Sequence, residues 1–319
     1  MIGICAAKVR RFLIIKFMRR APTSVVMTGG GRGQNEGHQL NLPLEAEDIF
    51  LETAAAIDEL YQEASKPGEA ARWEVLLDRI AGSIHMAPYN LLLADIQRPG
   101  ARLVAFPSDW KRLGREIKPA AIPILVLWPF GPMRCAYDLS DTTGAEVEDT
   151  VLDQMFGTAH SLKEGLFERL CRRAAKEDSV TVAVVSFGQV KAGDARALST
   201  SQSEKGKIQK LRWLVRIASH LNGAAKLMTL VHELAHVYVG HLGGNSRKWA
   251  ARQVARHDVR EFEAEAVSFV VGRRLGINTG SADYLRKMLK EDTIRHVSFA
   301  AVARAAGRIE QHLRQGGST

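Results

Sequence analysis

Two histidines and a glutamate lie close together at residues 232–236, in the pattern H-E-x-x-H. The surrounding segment 226–240 reads as a helix, and helical residues four apart share a face, so His232 and His236 can bind one metal ion. Glu233 follows the first histidine and can take a proton from a water at that ion. Two nitrogen ligands, an open coordination position and a basic carboxylate are what a zinc hydrolase needs. The sequence therefore predicts a Zn²⁺ site with Glu233 as the catalytic base.

A third ligand is expected from segment 260–272, where three glutamates alternate at Glu261, Glu263 and Glu265. A helical projection places Glu263 among the apolar side chains and the other two on the opposite face. A buried carboxylate needs a partner, which can be a metal or an arginine. We predict Glu263 as the third ligand, with Glu265 and Glu261 as the alternatives. On this prediction Glu263→Gln lowers the zinc content and Glu261→Gln does not.

Other polar residues near the motif are candidates for supporting roles. His241 follows His236 by five residues, one fewer than in H-E-x-x-H-x-x-G-x-x-H, and a continued helix would point it away, so we interpret it as an outer-sphere or surface residue. A peptidase also needs a donor to the oxyanion and a partner that orients a ligand histidine. The oxyanion donor is left open among Tyr238, His241 and His257. The orienting partner is left open between Asp258 and Glu265.

The composition favours a folded protein of the cytoplasm. Apolar residues make up 46% of the 319 residues, and the three cysteines form no C-x-x-C pair. The longest apolar run, 120–130, is too short to span a bilayer and contains two prolines. We therefore expect neither a disulfide scaffold nor a membrane span.

The net charge of +9 is concentrated near the N-terminus. Residues 1–46 hold seven Lys/Arg and two Glu, a net +5, which leaves +4 for the other 273 residues. Such charge suits a nucleic-acid partner, bound either by this basic tail or by the segment 73–145, and the alternative is a basic tail on a nearly balanced body with no nucleic-acid surface. A second interpretation of that segment is a packed Trp110 beside solvated basic residues, and we favour it.

The predicted fold class is α+β. We expect a basic, flexible tail at 1–46, a small α+β domain at 47–145 and a zincin-like domain at 146–319. The first domain should contain helices at 45–64 and 69–86, a helix beginning near Pro88, and strands near 122–128 and 134–139. The second should contain helices at 146–157 and 160–176, strands at 179–187 and 211–217, the metal helix, and helices beginning at 281 and covering 297–313. The strand at 211–217 is expected to be the edge that receives a peptide substrate.

The two motifs together resemble a known family. His232–His236, followed about 25 residues later by Glu261-x-Glu-Ala-Glu, resembles the ImmA/IrrE metallopeptidase family. It is also similar to the domain that follows the single-stranded-DNA-binding domain in ArdC-type antirestriction proteins. The resemblance implies His232, His236 and Glu263 as ligands, although many members have Asn or Asp where this chain has Glu265. Segment 73–145 weakly resembles a reduced ArdC-like N-terminal domain through Tyr89-Asn90, residues 97–100, Trp110 and Gly114-Arg115.

The predicted function is a zinc metallo-endopeptidase that hydrolyses a peptide bond in a protein substrate, with a transcriptional regulator as one substrate that the resemblance implies. One alternative is a single-stranded-DNA-binding, antirestriction-type protein in which the zincin domain is regulatory. A second is a metal site that is catalytically silent, which would require a closed set of four protein ligands. The sequence predicts no oligomeric state.

Overall fold

The structure is a computed structural model and describes residues 70–128, 131–147, 164–187, 191–198, 212–245, 248–252, 254, 256–277, 285, 287–288 and 291–314. The predicted tail, the helices at 45–64 and 146–157, and the helix start at 281–284 lie outside the described residues. Within them the fold is a mixture of helices and small sheets, which confirms the α+β class in this coarse sense.

The helices are longest in the second half of the chain. In order they are α1 (Ala70–Gly82), α2 (Pro88–Gln97), α3 (Pro107–Arg112), α4 (Leu166–Asp178), α5 (Gly223–Val239), α6 (His257–Arg274), α7 (Glu291–Ile294) and α8 (Phe299–Leu313). None of the described helices is both long enough and apolar enough to cross a membrane.

The strands of the described residues form three small sheets. They are β1 (Val104–Ala105), β2 (Arg115–Ile117), β3 (Ile124–Trp128), β4 (Gly131–Asp138), β5 (Thr142–Gly144), β6 (Val180–Val185), β7 (Gly193–Leu198) and β8 (Arg212–Ala218). The orders are β1-β4-β3, β2-β5 and β6-β8-β7. Every described pair is antiparallel except β6 with β8, which is parallel.

The β6-β8-β7 sheet supports the helix that carries the H-E-x-x-H motif. Trp213, Val215 and Ile217 alternate along β8 and are buried, as expected for a strand with one face on a core. β8 is the central strand, with β6 and β7 on its two sides. The prediction that the strand before the motif forms the sheet edge is therefore wrong, because β7 pairs antiparallel with β8 on the side nearer the site.

The core lies between α5, α6 and α8. Buried residues of all three helices belong to one apolar cluster, which also takes in α1 and α2 through residues such as Trp73 and Leu92. Trp73 stacks on Phe299 at the start of α8, with ring centroids 3.2 Å apart. The helices on both sides of residue 146 thus share a core, and the division into domains at that residue stays a prediction.

A buried arginine joins the early helices to the late ones. Arg274, at the end of α6, donates to the backbone carbonyls of Ile80, Ser83 and Met86 in the α1–α2 connection. It also forms an ion pair with Glu310 of α8. A guanidinium can satisfy several carbonyls at once because its donors are fixed in a plane. The contacts hold the α1–α2 connection against α6.

Trp110 is buried and belongs to a small separate cluster with Ala105. Its indole Nε1 donates to the carbonyl of Tyr137 at 3.1 Å. The neighbouring Arg115 donates to Thr142 and to nearby carbonyls. The packed interpretation of Trp110 is confirmed, since a buried ring cannot stack on a base.

Candidate metal centre

The two motif histidines lie on the side of α5 away from its buried face. Leu230, Val231 and Leu234 are fully buried on that face, whereas His232 and His236 keep part of their surface. One helical turn separates the histidines, and their ring centroids are 5.1 Å apart. The sequence prediction that both share one face is confirmed.

Helix α6 brings a carboxylate to both histidines, and that carboxylate belongs to Glu261. Its Oε2 lies 3.6 Å from His232 Nε2 and its Oε1 lies 3.6 Å from His236 Nε2. Ligand atoms from the three side chains all fall within 4.8 Å of one another. Among the described residues this is the group of His, Cys, Asp and Glu arranged to hold a metal ion.

The ring nitrogens that face away from Glu261 are also engaged. His232 Nδ1 lies 3.3 Å from Glu265 Oε2, and His236 Nδ1 lies 3.0 Å from His241 Nδ1. Metal-binding histidines usually use one nitrogen for the ion and the other for an orienting partner. The prediction that Glu265 orients a ligand histidine fits this geometry. Asp258 instead binds Arg256 and Thr293.

These residues fit a zinc ion. Ligand atoms about 2.0–2.1 Å from tetrahedral zinc lie about 3.3 Å apart, close to the 3.6 Å between Glu261 and each histidine. The donor set of two imidazoles and one carboxylate is that of an open, three-ligand zinc site. No fourth protein ligand is found with them among the described residues.

Glu263, which the sequence predicted as the third metal ligand, does not join this group. It is fully buried, as the helical projection required. However, its two oxygens accept from Arg252 at 2.7 and 2.8 Å, from His241 at 2.7 Å and from the Ser298 amide at 2.6 Å. The buried carboxylate has an arginine as its partner, so Glu261 takes its place as the candidate third ligand.

Charge within the cluster is shared between the histidines and their carboxylates. Burial opposes a charged imidazole, but hydrogen bonds to Glu261 and Glu265 raise the pKa of His232 to about 9. Burial, reinforced by the charge of His232, lowers the pKa of His236 to about 3. The hydrogen bond from His232 is the main reason that the pKa of Glu261 falls to about 2. The Glu261 carboxylate thus favours the charged form of His232, and His232 favours the ionised form of Glu261.

Glu233 lies next to the metal group and against strand β7. A Cβ built on Gly193 would lie 3.1 Å from Glu233 Cγ and 2.9 Å from Thr229 Cγ2. Only a glycine allows β7 to approach α5 so closely. Burial in this contact raises the pKa of Glu233 to about 7, so its carboxylate can both take up and release a proton near neutral pH.

The three candidate oxyanion donors occupy different places. Tyr238 is buried against Trp249, with ring centroids 5.0 Å apart, and does not face the site. His241 lies behind His236. The side chain of His257 is 76% exposed, and its Nδ1 lies 3.5 Å from Glu261 Oε1. Of the three, His257 is the residue at the open rim of the site.

Two parts of the site differ from what sequence reasoning emphasised. The first is Glu261, which was given only as an alternative to Glu263, although its i, i+4 spacing to Glu265 placed both on one face. The second is strand β7, whose sequence Gly-Asp-Ala-Arg-Ala-Leu lacks the β-branched residues that signal a strand. The alternation of polar residues with alanines in β7 was the available signal.

Comparison with known proteins gives little further information. No protein-family model and no curated protein matches the chain. One similar solved structure is a metal-free crystal structure of the antirestriction protein ArdC from plasmid R388. It is 12% identical, with a TM-score of 0.34, over 76% of this chain and 97% of that chain. This likeness is too weak to carry an argument about fold or function.

Proposed function

We propose that this protein is a zinc-dependent metallopeptidase in which His232, His236 and Glu261 hold the ion and Glu233 is the general base. The observation that supports the proposal is the arrangement of the two imidazoles. Each points Nε2 at Glu261 and has its Nδ1 against an outer partner, Glu265 or His241. A metal site needs this orientation, whereas two histidines packed only for stability have no reason to share it.

Zinc, when bound, supplies a Lewis acid that lowers the pKa of water and polarises a carbonyl. Glu233 would take the proton of the attacking water and pass it to the leaving amine. Its buried position beside Gly193 limits the conformations open to its side chain. His257, at the rim, is our candidate donor to the oxyanion of the tetrahedral intermediate.

The substrate class that fits this site is an extended peptide. Among the described residues, β7 pairs with β8 on one side only. A peptide that adds to its other side would run past Gly193 and therefore past Glu233. Backbone hydrogen bonds to an edge strand hold a peptide without regard to its side chains. We propose this mode of binding for a protein or peptide substrate.

Hydrolysis of a fluorescently quenched peptide library and of labelled casein tests the proposal. We expect cleavage by the zinc-loaded protein and a loss of at least about 100-fold in Glu233→Gln, because a general base contributes that much. The variant should keep its zinc, as measured by elemental analysis, since Glu233 is not a ligand. Equal cleavage by the two proteins at equal zinc content would exclude Glu233 as the base.

A further inference from the structure

Behind His236 lies a chain of three polar side chains that ends in an ion pair. His236 Nδ1 contacts His241 Nδ1 at 3.0 Å, and His241 Nε2 contacts Glu263 Oε2 at 2.7 Å. Glu263 is held in turn by both terminal nitrogens of Arg252. The side chains of His241 and Glu263 are 1% and 0% exposed, so water does not compete for these contacts.

The partners fix where the hydrogen atoms lie. Every contact to Glu263 comes from a donor, namely Arg252, the Ser298 amide and His241, so Glu263 is an ionised acceptor. His241 must then carry its hydrogen on Nε2. A neutral His241 ring with its hydrogen on Nε2 has a lone pair on Nδ1. That lone pair accepts a hydrogen from His236 Nδ1, and the lone pair of His236 is left on Nε2.

The backbone turn after α5 brings His241 into contact with His236. Helix α5 is followed directly by Gly240, whose φ of 97° is in the left-handed region. A Cβ at Gly240 would lie 2.1 Å from the carbonyl oxygen of Ala250, so a larger residue cannot occupy this turn. The Gly240 carbonyl accepts from the amide of Arg252 at 3.0 Å. This turn thus brings His241 back beside His236. It also binds the segment that contains Arg252 through the Gly240 carbonyl.

We propose that His241 is a positioning residue. Held by Glu263, it fixes His236 in the tautomer with hydrogen on Nδ1 and thereby aims the Nε2 lone pair at the metal. The opposite tautomer would place a hydrogen on Nε2, and His236 could not bind an ion through the nitrogen that faces Glu261. The inference rests on His236 being a metal ligand, as the proposed function requires. It assigns to His241 and Glu263 a role in metal affinity that does not include contact with the metal or with substrate.

The tautomer can be read directly from the ¹⁵N resonances of the histidine rings in the full-length, metal-free protein, with His236 assigned by comparison with His236→Ala. We expect the hydrogen of His236 on Nδ1 and the hydrogen of His241 on Nε2. A hydrogen on Nε2 of His236 in the wild-type protein would overturn the proposal. This measurement uses no variant at residue 241 and therefore does not depend on how such variants fold.

Zinc affinity, measured by competition with a chelator, provides the second test. Loss of an outer-sphere partner costs about 10–100-fold in metal affinity, and we expect a loss of this size in His241→Ala. His241→Asn should recover most of the affinity, because an amide oxygen can accept from His236 while its nitrogen donates to Glu263. If His241→Ala has the circular dichroism spectrum and the zinc affinity of the wild type, the proposal is wrong.

These outcomes separate the inference from the proposed function. Unchanged peptide cleavage by Glu233→Gln would exclude the proposed mechanism and would leave the tautomer of His236 as it was measured. Unchanged zinc affinity in His236→Ala would show that His236 is not a ligand. His241 would then have no metal ligand to position, and the proposal would be wrong.

Discussion

The carboxylates of Glu261 and Glu263 have different partners, although one residue separates them on α6. Glu261 lies 3.6 Å from the Nε2 atoms of both motif histidines. Glu263 lies on the buried side of the helix and binds Arg252. A buried carboxylate with an arginine in place has its charge already balanced and gains little from a metal. At this scale we propose that Glu261 sets the zinc content, where the sequence had predicted Glu263.

Replacement of each glutamate should therefore have a distinct result. We expect Glu261→Gln to weaken zinc binding by more than about 100-fold, beyond the effect of an outer-sphere partner. Glu263→Gln should lower the free energy of unfolding by about 3–5 kcal/mol, because it leaves Arg252 without its buried counter-charge. Chelator competition and urea unfolding measure the two effects. The control is Asp78→Asn, which removes an exposed carboxylate from α1.

A larger loss of zinc affinity in Glu263→Gln than in Glu261→Gln would contradict this assignment. An equal unfolding free energy in Glu263→Gln and the wild type would contradict the charge balance with Arg252.

At the scale of elements, the site depends on the approach of β7 to α5. Gly193 is the contact point, since a Cβ there would lie 2.9 Å from Thr229 Cγ2 and 3.0 Å from the Arg216 carbonyl oxygen. Arg216 also pairs with Asp194 through two hydrogen bonds of 2.8 and 2.6 Å, which fixes the register of β7 on β8. The strand is therefore held beside Glu233 by backbone pairing, by this cross-strand ion pair and by the absence of a side chain at residue 193.

Gly193→Ala should separate β7 from α5. We expect kcat/KM for peptide cleavage to fall by about 10–100-fold, since a displacement of about 1 Å can have that effect. Zinc affinity should change little, because no ligand lies on β7. Gly82→Ala is the matched control, as a Cβ there meets nothing within 4 Å. Wild-type kcat/KM in Gly193→Ala would show that this contact does not position Glu233.

The elements differ in how far the sequence could predict them. Helix α5 and strands β6 and β8 follow from residue periodicity and were predicted within a few residues. Strand β7 was missed because its extended conformation depends on pairing with β8 and on contact with α5. Local sequence does not encode these contacts between distant segments. The helical projection of α6 placed its faces correctly, yet a projection does not say which neighbour covers each face. The motif histidines of α5 cover the face of α6 that carries Glu261. Arg252, from the segment after α5, covers the face that carries Glu263.

At the scale of the whole molecule, a second buried cluster joins distant segments. Asp178, at the end of α4, accepts from Lys248 at 2.7 Å, from Arg308 at 3.0 Å and from His312 at 2.6 Å. Arg308 and His312 belong to α8, and Lys248 follows α5. One fully buried carboxylate on α4 thus balances charged and polar groups from two other parts of the chain.

Stability should depend on pH through this residue. Although burial opposes ionisation, hydrogen bonds from His312, Arg308 and Lys248 hold the pKa of Asp178 well below its usual value. A depressed folded-state pKa stabilises the protein above the unfolded pKa of about 3.9, and this stability is lost as the pH falls below that value. We expect Asp178→Asn to lower the free energy of unfolding by about 3–5 kcal/mol at pH 7. The difference from the wild type should shrink from pH 4 to pH 3. A constant difference over that range in urea unfolding would contradict the assignment.

The central claim is that His232, His236 and Glu261 together bind zinc. A crystal structure of the zinc-loaded protein, with anomalous diffraction recorded on both sides of the zinc absorption edge, tests it most directly. We predict an anomalous peak about 2.0–2.2 Å from the Nε2 atoms of both histidines and from a carboxylate oxygen of Glu261, with Glu263 still paired to Arg252. A peak bound by Glu263, or no peak between the two histidines, would contradict the account.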